Sequence, residues 1–101
     1  MVAGTKAMVA TQEELDQGIQ IPTEAVVDVL WMDACFHMNV KELELERVDE
    51  LLCPTHTFGK IAAQTEDTIA VVTNSSAANG ADILAIPIKW VKKITIFQQE
   101  Q

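Results

Sequence analysis

The residues best suited to chemistry are the two cysteines and two histidines, and all four lie between positions 35 and 56: Cys35, His37, Cys53 and His56. Two thiolates and two imidazoles are a ligand set that tetrahedral zinc accepts. The spacing is not that of a zinc knuckle, since Cys-x-His is no standard arm and Cys53 and His56 are separated by Pro54 and Thr55. No metal is therefore expected, and the four read as small packed cysteines and polar loop histidines. Asp33 shares a strand face with Cys35 and His37, which suggests a nucleophile, a base and an orienting carboxylate. Residues two apart on one strand project side by side, however, whereas a thiol nucleophile needs partners brought round it by separate elements. The glycines, Gly4, Gly18, Gly59 and Gly80, are scattered, so no phosphate-binding loop is present. The chain reads as a non-enzyme with no catalytic residues and no cofactor. If it holds a small ligand, the candidates are Trp31, Asp33 and His37, where an aromatic ring and two polar groups would meet near a subunit junction.

The elements that must position these groups are mostly strands. Thr11-Gln12-Glu13-Glu14 is a capping box that predicts a short helix from about Gln12 to Gly18. Residues 25–36 carry the strongest strand signal, with apolar residues on both faces: Val27, Val29 and Trp31 on one, Val26, Leu30, Met32, Ala34 and Phe36 on the other. One face fits a core, and the second requires a cover from the N-terminal segment or another subunit. Residues 40–52 read in two ways. Asn39 and Glu42 offer a capping box for a short acidic helix ending before Pro54, whereas Leu43-Glu44-Leu45-Glu46 alternates as an extended arm would. A meander follows: strands at 58–64 and 68–73 joined by a turn at Glu66-Asp67, a loop over 75–80, and a strand at 83–86 ended by Pro87. A single turn at 87–90 then leads to a last strand over 91–97.

The chain has 101 residues, 49% of them apolar, which suits one domain with a modest core. Its formal charge of −8 repels phosphate backbones, so nucleic acid is not an expected partner. The nearest thing to a basic group is Lys89, Lys92 and Lys93. No apolar run has the length of a signal peptide core or a membrane span, so the expectation is a cytoplasmic protein that does not engage membranes, with both cysteines as free thiols.

Strand, long loop, three-stranded meander, single turn and final strand follow the plan of an SH3-like barrel. Trp31-x-Asp33-Ala34, Thr57-x-Gly59 and Ile86-Pro87-x-x-Trp90-x-Lys92-Lys93-Ile94 resemble small uncharacterised SH3-like β-barrel proteins encoded by phages and other mobile elements, over residues 26–97. Those proteins often carry a small-polar stretch and Gly-Trp where this chain has Cys35-Phe36-His37-Met38-Asn39, so the resemblance bears on fold more than on function. The expected architecture is mainly β with one or two short helices, a five-stranded SH3-like barrel over 25–101 preceded by an N-terminal extension with a short helix over 1–24. The expected role is assembly as a homo-oligomer or with another protein; the alternative is a module binding a metabolite or nucleotide.

Overall fold

The computed structural model describes residues 5–99; Gly4 and the outer ends of the two expected segments lie outside the described residues. Their order is β1 (Thr5–Thr11), α1 (Gln12–Asp16), β2 (Val26–Asp33), a 3-10 helix at Leu45–Leu51, β3 (Cys53–Gln64), β4 (Thr68–Ser76), β5 (Gly80–Pro87), a 3-10 turn at Ile88–Trp90 and β6 (Val91–Gln99). All strands belong to one six-stranded antiparallel sheet in the order β1-β6-β2-β3-β4-β5. The mainly β expectation holds, but two parts of it are corrected. The sheet has six strands where five were expected, because Thr5–Thr11 pairs along β6 from Thr5↔Gln99 to Thr11↔Lys93. It is also not closed into a barrel: β1 and β5 are its two ends and do not pair with each other.

The core forms on one face because side chains alternate along each strand. Val27, Val29 and Trp31 of β2, Ile61 of β3, Ile69 and Val71 of β4, Ile86 of β5, and Ile94 and Ile96 of β6 are buried there together. Each buried aliphatic side chain contributes about 1.5 to 3 kcal/mol. Register irregularities at Leu30/Trp31, Ile61/Ala63 and Val72/Asn74 curve the sheet round this cluster. At Gly59 the approach is close enough that a methyl group would overlap the carbonyl of Val72 and the side chain of Val71. Glycine is required there by space, not by φ.

The open side of the core is roofed by α1 and the 3-10 turn, through Leu15 and Ile88, with Ile21 beside them. The capping box forms as predicted: the Thr11 hydroxyl accepts from the Glu14 amide at 3.2 Å and Glu14 Oε1 accepts from the Thr11 amide at 3.1 Å. The Gln12 side-chain amide donates to the Lys89 carbonyl and joins the two roof pieces. Gln64 fastens the connection after the helix, accepting from the Ile21 amide at 2.8 Å and donating to the Ile19 carbonyl at 2.9 Å.

Several boundaries differ from the sequence reading: α1 ends at Asp16, and the loop expected over 75–80 narrows to 77–79, with β4 running to Ser76 and β5 starting at Gly80. β2 ends at Asp33, whose carboxylate accepts the Ala34 amide at 2.8 Å and turns the chain out of the sheet. β3 begins at Cys53, well before Phe58, and includes Pro54; its ladder with β4 starts only at Lys60, so Pro54 has a strand on one side alone and the missing N–H costs no bond. Residues 40–52 are neither of the two expected forms throughout: an irregular arm runs to Glu44 and a 3-10 helix follows. Asn39 has φ 59°, a left-handed bend in place of the expected helix cap.

Candidate functional site

The two cysteines are not free thiols. β2 and β3 are antiparallel neighbours with Asp33 opposite Cys53, so Cys35, two residues beyond the end of β2, comes back beside Cys53. The two form a disulfide with a Cα–Cα distance of 5.6 Å, closing a loop over a sequence separation of 18. The expected free thiols are thus replaced by a bridge. The register of two strands, a non-local property, brings the two residues within bonding reach, which a compartment argument from the N-terminus does not address.

The histidines go elsewhere. His37 donates from Nε2 to the Leu51 carbonyl at 2.7 Å, across the loop that the disulfide closes. His56 lies on the opposite sheet face from the core, with Nδ1 3.0 Å from both carboxylate oxygens of Asp28, its cross-sheet diagonal neighbour. Of the expected ligand-binding residues, Trp31 is in the core and donates from Nε1 to the Thr57 hydroxyl at 3.0 Å. Asp33 holds the strand end and His37 holds the loop, and among the described residues no hydrogen bond joins the three.

A groove of about 440 Å³ opens where the end of β2 meets the 3-10 turn, lined by Gln12, Met32, Ala34, Asp49, Leu52, Lys89, Trp90 and Lys92. Its aromatic wall is built in two layers: Trp90, 48% exposed, stacks on buried Trp31 with centroids 6.2 Å apart and planes 13° from parallel. Trp31 therefore supports an exposed ring instead of presenting its own. The sequence reading placed Trp31, not Trp90, at the candidate site; what it missed is that the turn at 87–90 holds Trp90 at the surface between two lysines.

Two apolar surfaces are left uncovered. The first is the arm: every residue from Phe36 to Glu50 is exposed, including Phe36 at 89%, Leu45 at 84% and Met38 at 72%. The arm carries Glu42, Glu44, Glu46, Asp49 and Glu50 against Lys41 and Arg47, and Arg47 is paired with Glu50 at 2.9 Å. The second is the outer face of the sheet, the second face of β2 that the sequence said must be covered. Directly opposed residues share a face, so one row there runs Ala7, Phe97, Val26, Lys60, Val72, Ile83 across all six strands. The next runs Val9, Thr95, Asp28, Phe58, and a third Thr11, Lys93, Leu30, His56. Val9, Val26, Phe58 and Ile83 are all among the exposed large apolar residues.

Comparison of the chain with protein-family models, curated proteins and solved structures returned no match. Among the described residues, no helix is long and apolar enough to cross a membrane.

Proposed function

We propose that this protein is a non-enzymatic assembly module that works by associating with itself or with another protein. The observation that carries this reading is the arm over residues 36–50, whose six large apolar side chains are exposed, from Val48 at 36% to Phe36 at 89%, while the residues of the core are buried. Exposed apolar groups at this density gain from burial against a second surface, and the outer sheet face has the same need. The strand order supports the finer fold reading as well. Without β1, the remaining strands run β6-β2-β3-β4-β5, with a long loop, a meander, a 3-10 turn and a last strand beside the first. That is an SH3-like plan left open and extended by one strand, the form in which we read the likeness to small proteins of phages and mobile elements. Size-exclusion chromatography with light scattering tests the role: a species of more than one chain at tens of micromolar is expected, and a single-chain mass throughout that range removes the self-association half of the reading.

The groove beside Trp90 favours a second reading, a binder of small planar anions. An exposed indole supported from behind, with a lysine on either side of it in sequence, suits a flat ring carrying a negative group. A thermal-shift screen with nucleotides and aromatic carboxylates separates the two: a rise in melting temperature together with quenching of tryptophan emission, both lost in Trp90→Ala, supports the binder.

A further inference from the structure

The arm and the outer sheet face are complementary in three respects. The first is apolar need: the arm exposes Phe36, Met38 and Leu45, and the face exposes Val26, Phe58 and Ile83. The second is charge. The arm has five acidic residues against two basic ones. In the three rows of the face the charged residues are Lys60, Lys93 and Asp28, and the single carboxylate is already hydrogen-bonded to His56. The acidic strip is thus matched by a face that carries Lys60 and Lys93, neither in an ion pair among the described residues, in a chain whose overall charge would otherwise oppose self-association. The third is dimension. Six strands spaced about 4.8 Å apart are about 24 Å across, and nine irregular residues from 36 to 44 reach at most about 30 Å before the 3-10 helix adds its own length.

We propose that the 36–50 arm of one copy of this chain lies across the outer sheet face of a second copy. This rests on the self-assembly reading and names its contact surfaces. The disulfide between Cys35 and Cys53 clamps both roots of the arm, so less chain freedom remains to be lost when it docks. Glu44 and Glu46 of the arm then face Lys60 and Lys93 of the neighbour.

Charge reversal with rescue tests this, using light scattering at tens of micromolar and circular dichroism to confirm folding. All four residues are exposed, so the variants retain the fold. Glu44→Lys with Glu46→Lys puts lysines against lysines, and Lys60→Glu with Lys93→Glu puts carboxylates against carboxylates. Each double variant alone is expected to run at the mass of one chain, and an equimolar mixture of the two is expected to regain the parent's assembled mass, since each arm then finds an opposite face. If the parent assembles and neither variant disturbs it, or if the mixture stays at single-chain mass after both variants dissociate, the contact is wrong while self-assembly stands. A parent that is a single chain across the range overturns both.

Discussion

Val29 and Leu45 are both aliphatic residues in stretches that carry strand periodicity, yet Val29 is 0% exposed and Leu45 is 84% exposed. The difference lies in pairing. Val29 has β3 on one side, opposite Thr57, and β6 on the other, opposite Ile94, so its alternation is fixed to one face of a sheet and that face closes on a core. Leu45 begins a 3-10 helix at the end of an arm with no strand beside it, so its pattern has no face inside the molecule to address. Periodicity states which residues want burial; only neighbouring backbone decides where they obtain it.

The largest expected effect separates these regions by placing one carboxylate in each face of β2. Val29→Asp puts an unpaired charge among buried Ile94, Val27 and Ile61, a loss of more than about 4 kcal/mol, which consumes most of a small domain's stability. The variant is expected to be insoluble or to lose its strand signal in circular dichroism. Leu30→Asp, on the outer face beside Lys93 and His56, is expected to fold. A soluble, natively folded Val29→Asp protein would show that the inner face is not the core.

An intermediate effect joins the two regions, because the disulfide ties the root of the arm to the start of β3. Restricting a loop of this length, with a separation of 18, is worth about 3 kcal/mol in the chain-entropy account. Replacing Cys35 and Cys53 together by serine should lower the urea midpoint accordingly, with the strand signal at low denaturant unchanged. An unchanged midpoint would mean that the arm is as free with the bridge as without it.

How much of this was legible in the sequence follows from the same contrast. Val26–Asp33, the second half of β3, β4 and β6 were readable because apolar residues, many of them β-branched, are concentrated in them and turn chemistry marks their ends; the Thr65 hydroxyl accepting from the Asp67 and Thr68 amides is the turn expected at Glu66-Asp67. The capping box at Thr11 was readable because both of its bonds are local. β1 was not, since Ala7, Met8 and Ala10 have little strand preference of their own and become a strand by pairing with β6. The bridge between Cys35 and Cys53 depends on the β2–β3 register and was hidden for the same reason. At the site, Trp31 was singled out as a ligand contact, but its indole N–H belongs to Thr57 and its ring supports Trp90, a relation between a strand and a distant turn that no spacing announces.

The smallest expected effect on stability sharpens the comparison most. Leu45→Ser removes an isobutyl group that touches little of its own chain, so in dilute protein the urea midpoint should correspond to a change within about 0.5 kcal/mol, the range of surface substitutions. If the arm is an assembly surface, the same substitution removes an apolar group worth about 1.5 to 3 kcal/mol when buried. That is a rise of about ten- to a hundredfold in the concentration at which chains associate. The two readings come from one preparation, the denaturation midpoint below the association range and light scattering within it. A large loss of stability in dilute solution would place Leu45 against its own core and make the arm part of the folded domain. No loss of either kind would leave the arm's apolar residues without a role in folding or association, and the contrast with Val29 would then be one of packing alone.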